Sequence, residues 1–339
     1  MKKEVERGTL RIKKNLKVYE KKSSWVLSKK KFPEALQVIN LYKSNKKLDL
    51  LLDGDFFKGQ LSPKGLQQGA RINILPNGEK LEKAFSLFSP QLKIHDQDSQ
   101  DHWDVIYQNK GGTYSYVYTL EKRKAHRDRK YRKVEEFAKV YSKLRKNVTK
   151  ELSKDPMALS IYTLLETHMR VGNEAYFNLN GHKGLTTLNK KDVSIKGSAI
   201  VFNYIGKDGV PIKITKKFPP KYISSLKRLM KGKSKFLFNK EGIILHENDF
   251  KQAFKKYCGK EFYPHIVRSY YATSELKNFL GKKKKIKDEE LKKAYLSIAE
   301  GLGHKKFNKK ENKWQDSYAV TVHSYIQPSL IEKANSMKI

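Results

Sequence analysis

The sequence predicts a two-domain α+β protein. A small β-rich domain with a basic N-terminal arm is expected over residues 1–120. A larger, mostly helical domain with a three-stranded antiparallel sheet is expected over residues 121–339. Three observations predict this. The 339 residues exceed what a single core of ordinary size requires. From Leu48 to Tyr118 the text is strand-like, with short apolar runs cut by Gly and Pro. Beyond about Val134 helical periodicity dominates, interrupted once by three strand-like runs.

In chain order, residues 1 to about 50 are Lys-rich with scattered aromatics. They are followed by the β-rich text "LDLLLDGDFF", "ARINILPNGEKL" and "WDVIYQNKGGTYSYVYTL". "QNKGGT" between "WDVIY" and "YSYVY" reads as a hairpin turn. The charge run "EKRKAHRDRKYRK", Glu121 to Lys133, opens a helix that bridges to the second domain. Asp155 and Pro156 are an N-cap and a first helical residue, and Ile161, Leu164, Leu165 and Met169 form the core stripe of that helix. Gly172 breaks the chain before a second, short helix. The runs "KKDVSIK", "SAIVFNYIG" and "VPIKITK" are strands joined by the turns "KGS" and "GKDG". A helix from about Pro219 to Met230 precedes "KFLFN", and further helices are expected at about 247–258, 264–279, 288–300 and 315–336, with Asp288 capping the third of these four.

Lys and Arg number 72 against 35 Asp and Glu, a formal net charge of +37 spread along the whole chain. A compact chain so charged repels itself, and a polyanion relieves the repulsion while releasing its own counterions. DNA or RNA is therefore the first expectation for a partner, ahead of a ribosomal or membrane surface. The lone Cys258 excludes a disulfide framework within the chain and reads as a small structural residue in a reducing compartment. The N-terminus lacks the apolar core of a signal peptide, and no run approaches the ~20 apolar residues of a membrane span. An intracellular, DNA-associated protein is expected.

A tyrosine can attack a backbone phosphate and become joined to it if three needs are met. The phenol, with a pKa of about 10, must lose its proton. Negative charge building on the non-bridging oxygens must meet fixed cations, and two guanidinium forks suit that. The departing sugar oxygen must receive a proton, which a partly desolvated lysine can give. Arg170 in "HMRVGNEAY", Lys207 in "YIGKDGV", Arg268 in "PHIVRSYYAT", His304 in "IAEGLGHKK", and Tyr318 or Tyr325 in "DSYAVTVHSYIQPS" can fill these roles. Composition alone does not raise them above the other basic residues.

The segment "MRVGNEAYFNLNGHKGLTTLNKKDVSIKGSAIVFNYIGKDGV" resembles the core of the type IB DNA topoisomerases of the small poxvirus and bacterial kind. The matching motifs are Arg170-Val171-Gly172 with Tyr176, Gly184-Leu185-Thr186-Thr187-Leu188, and Gly206-Lys207-Asp208-Gly209. "HRDRKYRK", "VEEFAKVYSKL" and "GLGHKK" resemble further parts of that family. The likeness is good over about 120–336 and loose in the N-terminal domain, and a large DNA virus fits as a source. It implies a catalytic C-terminal domain, a DNA-clamping N-terminal domain, a monomer acting on duplex DNA, and no cofactor, metal or ATP. It also implies the reaction: single-strand cleavage through a 3′-phosphotyrosyl link, strand swivelling, and religation. Arg170, Lys207, Arg268, His304 and Tyr325 would be catalytic. Arg127, Arg129, Tyr176, Asp208 and His265 would be DNA contacts.

Two features depart from the family pattern. His265 stands where a lysine is usual, three residues before Arg268, giving the His-x-x-Arg of tyrosine recombinases, which share the catalytic fold. A recombinase, or a basic DNA-binding protein without catalysis, is the alternative. The family's spacing from His304 to the nucleophile lands on Lys313, so "KKFNKKENKWQDS" reads as an insertion. Length favours Tyr318, whereas "SYIQPSLIE" around the second candidate resembles bacterial members and favours Tyr325 as the nucleophile. "HDQDSQDHWD", His95 to Asp104, is a solvated acidic loop rather than a metal site, and Lys282 to Lys285 is a solvated loop.

Overall fold

A computed structural model describes residues 5–69, 71–95, 103–109, 112–281 and 283–339. It is a mixed α/β structure whose chain divides into two compact units, Met1–Arg129 and Lys130–Ile339.

In the first unit, β1 (Leu10–Ile12), β2 (Val18–Lys21) and β3 (Trp25–Leu27) precede helix α1 (Pro33–Ser44). Short strands β4 (Leu52–Asp53), β5 (Phe56–Phe57), β6 (Gln60–Leu61), β7 (Gln67–Gln68), β8 (Ile72–Ile74), β9 (Lys80–Phe85) and β10 (Lys93–Ile94) follow, then β11 (Val105–Gln108) and β12 (Tyr114–Val117). The largest sheet runs β3-β2-β1-β6-β7, and a second runs β10-β11-β12. The Lys-rich stretch expected to be an arm therefore belongs to the fold. Leu10, Ile12 and Val18 are buried while the lysines between them face out, so period-two alternation outweighs net charge. In α1, Pro33 starts the helix, and Ala35, Val38, Ile39 and Tyr42 carry its buried stripe. β11 and β12 pair from Val105↔Val117 to Gln108↔Tyr114. Lys110 and Gly111 of the expected turn lie outside the described residues.

Helix α2 (Leu120–Glu151) is 32 residues long and carries the chain from the first unit into the second. It buries Tyr131, Val134, Phe137, Leu144 and Val148 and turns its many charges outward. α3 (Pro156–Thr167) is buried almost all round, and Asp155 caps it by accepting from the Met157 N–H at 2.8 Å. After α4 (Glu174–Asn180), β13 (Val193–Lys196), β14 (Ala199–Ile205) and β15 (Pro211–Lys217) form an antiparallel sheet in that order. α5 (Pro220–Lys231) and α6 (Glu247–Cys258), separated in the chain by the small pair β16 (Asn239–Lys240) and β17 (Ile243–Ile244), complete a first core with α2, α3 and the sheet. α7 (Ile266–Leu280) and α8 (Asp288–Gly301) anchor a second core that includes Tyr325 and Ile326.

In the second unit one expectation gains a structure and two are corrected. The insertion after His304 folds as a hairpin, β18 (Lys305–Asn308) with β19 (Lys313–Asp316), paired across Phe307↔Trp314. The single helix expected over 315–336 is two, α9 (Ala319–Ser324) and α10 (Pro328–Ser336). Pro328 has no N–H to continue a ladder and forces the residue before it out of helical conformation, so the chain breaks at Tyr325–Gln327. Asp288 is the first residue of α8 rather than its cap. The cap is Lys287, whose N–H bonds the Glu290 carboxylate at 3.3 Å. Cys258 is buried and its thiol donates to the Phe254 carbonyl, as a structural residue would. Among the described residues no helix is long and apolar enough to cross a membrane.

Candidate active site

Arg170 stands just beyond α3 on a backbone held by close packing. His168 ends α3 in the left-handed region, at φ 52°. Two residues past Arg170, Gly172 sits at φ +104°, where a side chain would be strained. The facing Gly184 approaches so closely that a Cβ there would lie 2.6 Å from the Arg170 carbonyl oxygen and 2.5 Å from the Gly172 nitrogen. Leu185 N–H donates to the Arg170 carbonyl at 2.8 Å, and Thr186 N–H donates to that of Val171 at 2.6 Å. The Gly-Leu-Thr-Thr-Leu run is thus a backbone brace for Arg170. The guanidinium it aims donates from Nη1 to the Tyr325 hydroxyl at 3.0 Å.

Arg268 is the largest fully buried side chain, 2% exposed. It projects from the first turns of α7 and donates to the carbonyls of His168 and Leu302 and to Nε2 of His304, the last at 2.9 Å. Its Nε–H meets no acceptor among the described residues. Burial brings the guanidinium down to about 10, which leaves it charged at neutral pH. Because arginine only donates, His304 Nε2 must accept, so the proton lies on Nδ1 and goes to Thr321 Oγ1 at 2.7 Å. Burial, reinforced by the Arg268 and Arg170 charges, depresses this imidazole to about 3, so it is neutral.

Tyr325 lies over this pair. Its ring is 4% exposed, 5.2 Å from the Arg268 guanidinium carbon and 4.8 Å from the His304 ring. Burial alone would raise the phenol, but the Arg268 and Arg170 charges prevail and hold it below its ordinary value. Tyr318 has a different environment. It packs in the second core with its ring 5.6 Å from that of Tyr295.

Lys207 is exposed at the tip of the β14–β15 hairpin, beside Asp208 at φ 62°. Arg170, Lys207, Arg268 and His304 all line one cleft of about 360 Å³, with Asp208, Tyr204, Lys183, Lys305 and Lys306. Lys183 is neutralised by both oxygens of Asp192, at 2.7 Å each. The cleft is otherwise strongly cationic and suits an anion with several oxygens.

Of the other predicted contacts, His265 is exposed at the start of α7 with its ring 5.2 Å from that of Tyr325. Tyr176 is exposed on α4. Arg127 and Arg129 lie on exposed positions of α2 in the first unit. Sequence reasoning missed His168, Thr321, Thr273 and Lys130. Thr321 is 17 residues from His304, and no local pattern marks the pairing. Among the described residues no three His, Cys, Asp or Glu side chains gather so as to hold a metal ion. Most of the acidic segment, residues 96–102, lies outside the described residues.

Helices around a small antiparallel sheet bring a buried tyrosine against two arginines, so the site is a cationic tyrosine site. Residues 120–328 match the family described as eukaryotic DNA topoisomerase I, catalytic core, and the chain belongs to that family. It is 25% identical over 198 residues to DNA topoisomerase 1B of Acanthamoeba polyphaga mimivirus; the match spans 52% of this chain and 59% of that protein. Among solved structures it is similar at a low level to XerH site-specific recombinase bound to palindromic difH substrate in a post-cleavage complex. That likeness has 18% identity and a TM-score of 0.37, covering 58% of this chain and 50% of that one. A pre-cleavage complex of XerH with difH gives 17% identity and a TM-score of 0.32, over 48% and 44%.

Proposed function

We propose that this protein is a type IB DNA topoisomerase that relaxes supercoiled duplex DNA with Tyr325 as nucleophile. The observation that carries the reading is the Tyr325 hydroxyl, bonded to Arg170 and set beside buried Arg268, in a protein of the topoisomerase I family. The phenol proton leaves to solvent, made easier by the two guanidinium charges. The phenolate oxygen attacks a backbone phosphorus, and Arg170 and Arg268 stabilise the charge gathering on the non-bridging oxygens. His304 Nε2 accepts from Arg268 in the free protein, so its ring must gain a proton or exchange its partner to donate to the phosphoryl group. Lys207 gives a proton to the departing 5′ oxygen as the P–O bond breaks. One phosphoester replaces another, so religation is the same path reversed and calls for no ATP. The N-terminal unit would clamp the duplex, with its Arg127 and Arg129 and the second unit's Tyr176 on the backbone, and the protein would act as a monomer.

Incubation with supercoiled plasmid in EDTA should relax supercoils of both signs; failure at every salt concentration tried would sink the reading. Tyr325→Phe should abolish relaxation and the covalent adduct, whereas Tyr318→Phe should retain both. The reverse outcome would transfer the role to Tyr318. Lys207→Ala should slow cleavage, and a substrate with a 5′-thiolate leaving group, which needs no proton, should restore it. Without that rescue Lys207 is not the acid.

A second reading, a tyrosine recombinase, is favoured by His265, which brings the His-x-x-Arg pattern up to the Tyr325 ring. Strand exchange between two cognate sites, with no relaxation of plasmids lacking them, would establish it instead. A basic DNA-binding protein without catalysis would retard DNA and form no adduct.

A further inference from the structure

The turn that carries Tyr325 is held by helical hydrogen bonding only on its N-terminal side, where the Tyr325 N–H donates to the Thr321 carbonyl at 2.9 Å. Tyr325 follows the last residue of α9 at φ −124°, and α10 begins only at Pro328. In an unbroken helix the Ser324 carbonyl would accept from the N–H of residue 328. That residue is proline and has none.

The missing donor comes from α2. Lys130 Nζ donates to the Ser324 carbonyl and lies 5.3 Å from the centroid of the Tyr325 ring. Further along α2, Glu135 Oε1 accepts from Gln327 Nε2 at 2.9 Å. The residues on both sides of Tyr325 are thus tied to one helix. On the opposite side, Thr273 Oγ1 on α7 bonds the Tyr325 carbonyl and the Gln327 N–H, each at 3.3 Å. Lys130 differs from the other three ties in carrying a positive charge, which it holds at the face of the ring that becomes a phenolate.

We propose that Lys130 is a positioning residue for the nucleophile. Its ammonium replaces the N–H that Pro328 lacks, fixes the Ser324–Gln327 turn, and so holds the Tyr325 hydroxyl against Arg170. This rests on the reading of Tyr325 as nucleophile. Catalytic geometry is sensitive at this scale, where misplacement by 1 Å costs on the order of 100-fold in rate.

The test is single-turnover cleavage of a duplex oligonucleotide by the full chain, with equilibrium binding measured separately in a Tyr325→Phe background. Lys130→Met keeps the aliphatic stem and good helix propensity. It should cleave at least about tenfold more slowly, with the binding constant nearly unchanged, and Lys130→Arg should recover most of the rate. Combining Lys130→Met with Pro328→Ala, which returns a backbone N–H to Ser324, should recover part of the loss beyond what additivity allows. If Lys130→Met does not fold, Lys130→Ala, which removes donor and charge together and keeps helix propensity, is judged by the same criteria. A Lys130→Met rate within about twofold of the parent, a loss confined to binding, or strictly additive behaviour with Pro328→Ala would overturn the inference. Tyr325→Phe in the same assay separates the two ideas. If it still forms the adduct, the nucleophile assignment fails; if it does not and Lys130→Met is unimpaired, only the role of Lys130 fails.

Discussion

Arg268 concentrates the site's physics in one side chain. Burying a guanidinium is costly unless its donors are paired, and here two carbonyls and an imidazole engage both terminal nitrogens, while Nε–H meets no acceptor among the described residues. Such a group serves stability poorly but electrostatics well, because its charge acts on Tyr325 through protein rather than water. Arg268→Ala should therefore slow cleavage by roughly 100- to 1,000-fold, the usual loss for one preorganised donor to a developing oxyanion. It should also move the pH dependence. The Arg268 charge favours the phenolate, so its removal raises the phenol, and the basic rise of the cleavage rate should shift to higher pH. Arg268→Lys keeps a charge without the fork and should restore the position of that rise but not the full rate. Single-turnover rates across the pH range would show both effects. An unmoved profile in Arg268→Ala would mean that Tyr325 does not sense this charge.

At the scale of elements, four of the five catalytic candidates sit where a regular element ends: Arg170 after α3, Lys207 between β14 and β15, His304 after α8, and Tyr325 after α9, while Arg268 projects from the start of α7. The packing between those ends sets their alignment. Gly184 is the tightest point, and its φ of −149° suits any residue, so a side chain there fails on space alone. Gly184→Ala should push the Arg170–Gly172 backbone away and cut cleavage by about 100-fold with little change in DNA affinity; a parental rate would show that Arg170 does not depend on this brace. These elements were unequally legible. α6 and the β13–β14–β15 sheet could be read because apolar periodicity, glycines and caps agree locally. The β18–β19 hairpin could not, since Phe307 and Trp314 are its only large apolar residues amid lysines. Of the site, Arg170, Lys207, Arg268, His304 and Tyr325 stood in recognisable motifs. The carbonyl of His168, Thr321 and Lys130 reach it from 100, 17 and 194 residues away from their partners, distances that no local pattern spans.

At the scale of the whole molecule, a net charge of +37 and the neutral imidazoles of buried His304 and half-buried His168 act in the same direction as pH falls. His304 and His168 are both depressed to about 3, chiefly by burial, with nearby cations adding to it. Unfolded, they would titrate near 6.5. The sign follows from proton binding. Between about 6.5 and 3 the unfolded chain holds protons at these positions that the folded chain does not, so acid favours unfolding. Their contribution to stability is complete above the unfolded value and is lost progressively as pH falls toward about 3. Protonation also turns His304 Nε2 into a donor facing the donors of Arg268, so the same acid dismantles the site. The melting temperature should therefore drop steadily from pH 7 to pH 4. His304→Asn, which can accept from Arg268 but cannot titrate, should show a shallower decline. Equal slopes for the two proteins would mean that the acid sensitivity comes from general charge repulsion rather than from this imidazole. A duplex oligonucleotide should offset the loss at low ionic strength, because phosphate oxygens in the cleft compensate both the added protons and the excess positive charge.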